Sequence, residues 1–168
     1  MKVPLTLLLV LAAPAAFSQS LTPELQDVKG TIQGVGSDAA RVGYSIRVPK
    51  GANLGRTGEV QDVYSSRYNS FVSWKVQVEK TAVRTLDAAV QESTIAGRLF
   101  KPEGAAIEGG FQVLRRPTSD SVVDAAVWTY KITDAGGVRA QCSGPAKALE
   151  TLAQMCASLQ VTPATSAH

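Results

Sequence analysis

The chain is expected to fold as an α+β domain in which an antiparallel sheet packs against helices. Residues 42–48 and 71–78 alternate apolar and polar side chains with the period of a strand. Residues 84–100 and 147–159 carry apolar side chains at helical spacing instead. The turn-forming run Asp134-Ala135-Gly136-Gly137 joins two strand-like stretches. A hairpin of this kind makes its strands antiparallel and argues against a doubly wound parallel sheet.

The first element is an export signal. Lys2 gives a short basic start, Leu5–Ala13 an apolar stretch and Pro14 its end. Ala16 and Ser18 then supply small residues for a cut before Gln19. The apolar stretch is shorter than the ~20 residues that span a bilayer. No later run in the sequence is long enough, so no transmembrane anchor is expected after cleavage. Removing residues 1–18 from the 168-residue chain leaves 150, the size of a single domain. The formal charge of +3 becomes +2 without Lys2. The arginines are scattered rather than gathered with aromatics on one face, and nucleic-acid binding is not expected.

Residues 19–27 read as a polar lead-in and 29–40 as turns or a loose hairpin around Gly30, Gly34 and Gly36. Gly34-Val35-Gly36 lacks the third glycine and helix entry of a dinucleotide loop. Tyr44, Ile46 and Val48 then mark a strand that Pro49-Lys50-Gly51 stops. Residues 51–62 read as a loop, with a second strand near 60–64. In 71–78, Val72, Trp74, Val76 and Val78 face one way.

Leu86, Ala89, Val90 and Ser93 form a helical stripe, with Thr85 as N-cap and Lys101-Pro102 as the stop. Residues 106–114 read as a strand in which Gly109-Gly110 marks a bulge or a close backbone approach. Residues 122–132 read as a long strand without clean alternation, partly covered on both sides, and 138–142 return from the hairpin turn. Leu149, Leu152, Cys156 and Leu159 give the last helix its apolar stripe. The globular domain is expected to span 19–161, with its core in about 42–161 and a flexible tail at 162–168.

Cys142 and Cys156 are the two cysteines of the exported part, and in an oxidising compartment they are expected to form a disulfide. From a helix start at Lys147, Cys156 lies about 13 Å along the axis. Five extended residues reach about 16 Å, enough for the chain to double back. The alternatives are two free buried thiols or a redox dithiol, for which the C-x-x-C spacing is missing.

Catalytic patterns are scarce. The one histidine is His168, the last residue. Triads that need histidine, zinc sites, S-x-x-K in the mature chain and the EF-hand loop pattern are all absent from the sequence. Asp87, Glu92, Glu103, Glu108, Asp120 and Asp124 remain as candidates for paired-carboxylate hydrolysis. No cofactor is expected. Tyr64, Arg67, Tyr68, Asn69 and Phe71 make a polar-aromatic cluster of the composition favoured at interfaces, and they form the candidate partner surface. Trp74 and Trp128 are read as core residues.

The order of elements from GYSIRVPKG (43–51) through FVSWKVQV (71–78), the helix, IEGGFQVLRR (107–116), VVDAAVWTYKI (122–132), VRAQC (138–142) and a last helix ending in ASLQV (157–161) resembles the α/β/α sandwich shared by PsbP, Mog1 and the DcrB-like envelope proteins. Pro49 and Gly51 match the family's P-x-G opening, and Ser158 its closing serine. Residues 52–54 lack the usual tryptophan, and the cysteine pair is not a general family feature. The resemblance implies a non-enzymatic accessory or binding domain, secreted or periplasmic, with an envelope protein as partner. The alternative is a carrier of a small molecule or lipid with a pocket beside the sheet, motivated by the glycine-rich lead-in and by Gly109-Gly110.

Overall fold

The computed structural model describes residues 22–34, 40–67, 73–94, 99–134 and 136–163. In chain order they form β1 (Leu25–Gln33), β2 (Arg41–Pro49), β3 (Asn53–Thr57), β4 (Gln61–Arg67), β5 (Ser73–Thr81), α1 (Leu86–Thr94), β6 (Phe100–Ile107) and β7 (Gly110–Pro117). There follow β8 (Asp124–Thr133), β9 (Gly136–Pro145), a 3-10 turn (Ala146–Ala148), α2 (Leu149–Ala157) and β10 (Gln160–Pro163). The protein is α+β, with two antiparallel sheets and two helices packed on the larger one. The larger sheet has the order β3-β4-β5-β9-β8-β7-β6, and the smaller one β1-β2-β10. Consecutive hairpins build most of the larger sheet. Its one long-range pairing is β5 with β9, which brackets α1 and β6–β8.

The alternating strands of the sequence are here as expected. In β2, Val42, Tyr44, Ile46 and Val48 are buried; in β5, Trp74, Val76 and Val78 are. In β8 every residue from Ala125 to Tyr130 is buried, because its two faces meet different layers. Ala125 and Val127 join the main core with Val76, Val78, Ala140 and Cys142. Over that face lie the smaller sheet and the α2 stripe of Leu149, Leu152, Met155 and Cys156. Ala126, Trp128 and Tyr130 point the other way and pack with Val113 and Ala89 of α1. Thr85 caps α1, its Oγ1 accepting from the Ala88 amide at 3.3 Å. The helix settles on Gly104 of β6, where a Cβ would come within 2.6 Å of Val90 and 2.9 Å of Leu86.

The structure corrects several readings. The polar lead-in enters β1 at Leu25, and the loose hairpin is a paired β1–β2 ladder that buries Ile32. Residues 51–62 are not all loop. They hold β3, whose five residues are all exposed, and the first residues of β4. Pro102 does not stop a helix but lies in β6, the edge strand of the sheet, where a residue without an amide proton costs no ladder bond. The strand expected at 106–114 is two strands, β6 and β7, joined through Glu108 and Gly109. Gly109 has a φ of 69°, a turn conformation open to glycine. Gly110 is a true close approach, since a Cβ there would overlap the Tyr130 carbonyl. Thr162 and Pro163, expected in the flexible tail, instead belong to β10, which pairs with β2.

Candidate functional site

The expected partner surface is divided by the structure. Along β4 the side chains alternate between the core and the outer face of the sheet. Asp62 and Tyr64 point inward, 1% and 4% exposed, while Val63 and Ser65 point outward. Tyr64 is therefore not part of an exposed rim. Arg67 is exposed at the end of β4, and Tyr68, Asn69 and Phe71 lie outside the described residues.

Tyr64 belongs to a buried polar cluster between the two sheets. The Tyr44 hydroxyl donates to Asp62 Oδ2 at 2.5 Å and lies 2.9 Å from the Tyr64 hydroxyl. With the Tyr44 proton held by the carboxylate, Tyr64 is the donor of the second bond. Arg56 closes the cluster from outside, with Nε 2.7 Å from Asp62 Oδ1 and Nη2 3.3 Å from Oδ2. The Tyr44 ring lies over Gly30, its cross-strand neighbour, and any side chain there would displace it. Burial, and then the hydrogen bond to Asp62, push the Tyr44 hydroxyl far above the ordinary phenol range. These phenols stay protonated and act as structural donors. Arg56 and Arg41 border an open cleft of about 290 Å³, where Arg41 is paired with Glu59 at 2.9 Å.

The outer face of the larger sheet carries the other polar constellation. The registers set Gln61, Glu79, Arg139 and Tyr130 in one row, and Val63, Gln77, Gln141 and Trp128 in the next. Ser65, Lys75, Ser143 and Ala126 form a third row. Arg139 ties the first row to α1. It pairs with Glu79 and with Glu92 Oε1, the latter at 2.6 Å. Glu92 Oε2 accepts from the Tyr130 hydroxyl at 2.8 Å, and Glu79 Oε2 from Gln61 Nε2 at 2.7 Å. Burial alone would raise the Glu79 pKa. The Arg139 hydrogen bond and charge, with help from Gln61 and Gln77, outweigh it and hold the carboxyl below its ordinary value. For Arg139 burial works toward a lower pKa, and the two carboxylates reverse it.

Trp128 lies between two guanidinium groups, with Arg139 5.1 Å and Arg115 5.2 Å from its ring centroid. Arg115 also lies over Phe100 at 4.6 Å. Farther along the sheet the face is open. Ser65, Arg67, Ser73 and Lys75 are exposed, and Val63, Gln77, Gln141 and Ser143 are partly so.

No protein-family model matches the chain, and no characterised protein matches its sequence.

The carboxylates considered for hydrolysis are dispersed. Glu92 is bound by Arg139 and Glu103 by Arg116, on different elements. Asp87, Glu108, Asp120 and Asp124 are exposed. Among the described residues no group of three or more potential ligands could hold a metal ion. Among them, too, no helix is long and apolar enough to cross a membrane. His168 lies outside the described residues. Cys142 and Cys156 form the disulfide, with Cα atoms 5.8 Å apart. It joins β9 to α2 inside the core and leaves no free cysteine among the described residues. The Arg115–Trp128–Arg139 stack and the Asp62 cluster had no counterpart in the sequence reading. The period of β8, which places Trp128 beside Tyr130 on one face, was the available signal for the first.

Proposed function

We propose that this chain is an exported, non-enzymatic accessory domain of the cell envelope, secreted or periplasmic, that binds a protein partner through the open half of its larger sheet. One observation carries the reading: α1 packs on β6 and β7 and meets β9 through the Glu92–Arg139 pair, while Ser65, Arg67, Ser73 and Lys75 farther along the outer face of the sheet are exposed. That face offers Gln77, Gln141, Ser65 and Ser143 as hydrogen-bonding groups. Lys75 and Arg67 add two positive charges, while Arg139 offsets one of the two negative charges of Glu79 and Glu92. A flat polar face of this charge suits a partner with a mildly acidic contact surface.

Helices on opposite faces of the sheet also support the PsbP-like α/β/α reading of the fold. The signal-like residues 1–18 and the disulfide support export. Gly109 and Gly110, two of the glycines that suggested a carrier, are used in the β6–β7 turn and in the approach to Tyr130.

Affinity capture from an envelope extract at physiological salt, followed by crosslinking at Lys75, tests the proposal. A reproducible partner crosslinked to Lys75, and lost with Arg67→Glu/Lys75→Glu, is the expected result. Both positions are exposed, so the charge reversal should leave the fold intact. Capture of no partner, or equal capture by the charge-reversed variant, would overturn it.

A further inference from the structure

Most of the described arginines meet an acceptor within this protein. Arg41, Arg47, Arg56, Arg116 and Arg139 each meet a carboxylate. Arg84 donates to the carbonyls of Thr81 and Val83. Arg115 departs from this. It is 7% exposed, more buried than any of those in carboxylate pairs, yet among the described residues its Nε and Nη2 have no hydrogen-bond partner. A buried cation without a counter-charge costs more than almost any other single feature of a fold.

The two atoms are not an arbitrary pair. Nε–H and Nη2–H point the same way from the guanidinium plane's edge, and together they form the fork that grips two oxygens of one oxyanion. Arg56 uses this same edge, Nε and Nη2, on the two oxygens of Asp62. The surroundings explain why nothing in the protein fills the fork of Arg115. Its cross-strand neighbours are Pro102 and Ala126, and its Cζ lies over the rings of Phe100, at 4.6 Å, and Trp128, at 5.2 Å. None of these side chains carries an acceptor. Walls so apolar also serve a bridging water poorly, since a buried water needs two to four polar partners. Trp128 adds a third buried donor without a partner, its Nε1. On the other side of the same indole, Arg139 has two carboxylates. The tryptophan therefore separates a neutralised arginine from an unneutralised one.

We propose that Arg115 is a receptor for an oxyanion, a carboxylate or a phosphate group, held by the Nε/Nη2 fork between the rings of Phe100 and Trp128. The assignment does not depend on the partner-binding reading of the open sheet face. The aromatic walls hold the guanidinium in plane, which lowers the ordering cost of a bidentate contact.

The test is a titration of the full exported chain at constant ionic strength with acetate and, separately, with inorganic phosphate, using chloride as the control. Thermal stability and tryptophan fluorescence are followed together with the NMR resonance of the Arg115 Nε–H. Binding predicts a saturable rise in melting temperature and a downfield shift of that one arginine resonance, with no saturation in chloride. Saturation by acetate alone assigns a carboxylate, and by phosphate alone a tetrahedral anion; either supports the proposal. Arg115→Lys, which keeps the charge but loses the fork, should weaken binding about tenfold. Arg115→Met should abolish it while matching or exceeding the anion-free stability of the wild type, because the unpaired charge is gone. A merely structural arginine would instead leave that variant less stable. A response linear in both anions, an unmoved Nε–H resonance, or undiminished binding by Arg115→Met would overturn the proposal. The resonance shift is read on the wild type and decides the matter even if a variant fails to fold.

Discussion

Removing the Cys142–Cys156 bond should cost the protein about 4 kcal/mol, in two separable parts. The cysteines are 14 residues apart in sequence. Releasing a crosslink over a loop of that length gives back about 3 kcal/mol of chain entropy to the unfolded state. Both residues are 0% exposed and packed among Val76, Val127, Ala140 and Leu152. Replacing both by alanine deletes two sulfurs from this interior and adds about 1 kcal/mol for lost contacts and residual space. The parts are distinguished by comparing three forms in urea denaturation: oxidised wild type, reduced wild type, and Cys142→Ala/Cys156→Ala. The expected order of stability is as written, with steps of about 3 and then about 1 kcal/mol. For a domain of this size the total corresponds to a fall in melting temperature of roughly 8–16 °C. The reasoning fails if oxidised and reduced wild type differ by less than about 1 kcal/mol. It fails equally if unreduced, denatured protein yields two titratable thiols.

Three further outcomes follow from buried contacts. Tyr44→Phe removes the donor to Asp62 and leaves the carboxylate short of a partner in the interior, so stability should drop by about 2 kcal/mol in urea melts; a change under about 0.5 would mean that the cluster is loosely held. The Glu79 carboxyl is held below its ordinary value of 4.5, so it contributes stability that is complete above that pH and is lost as pH falls through the lower folded value. Glu79→Gln should flatten that acid limb in a pH series of melts, and an unchanged slope would remove Glu79 from the account. Gly110→Ala places a Cβ against the Tyr130 carbonyl, a backbone atom that cannot turn aside, and should cost over about 3 kcal/mol or prevent soluble expression. Gly51→Ala, strained by a φ of 74° but with open space around it, should cost only about 1 kcal/mol. Equal melting temperatures for these two variants would contradict the clash.

What could be read in advance depended on how much of an element's identity lay in its own side chains. β2, β5 and β8 bury one or both faces, and their alternation or apolar density is visible in the chain. The stripe Leu149, Leu152, Cys156 and Leu159 is likewise buried as its spacing indicates. β3, with sequence NLGRT, is exposed along its whole length and is a strand through its backbone pairing to β4. β10 is similarly defined by its ladder with β2. Neither leaves a period in the sequence. Pro102 misled because its meaning differs between a helix end and a sheet edge, and edge position is a property of the whole sheet. β4 misled through polarity. A buried Asp62 and a partly exposed Val63 invert the usual sense of alternation, and only the distant Tyr44 and Arg56 make that inversion affordable. Arg115 was legible as a basic residue beside Arg116, but its isolation follows from Pro102 and Ala126 arriving on either side.

The position of β10 has a consequence for when the protein can fold. β2 is flanked by β1, from the first described residues, and by β10, from the last, with Gln160 opposite Ser45. The smaller sheet therefore closes only after residues 160–163 have been made. Both cysteines, too, lie late in the sequence. A nascent chain interrupted before residue 160 lacks a ladder that the main core relies on as cover, and pairings across such separations form slowly. The final strand therefore acts as a latch: until it is in place, β2 lacks one of its two neighbours and the smaller sheet stays unclosed.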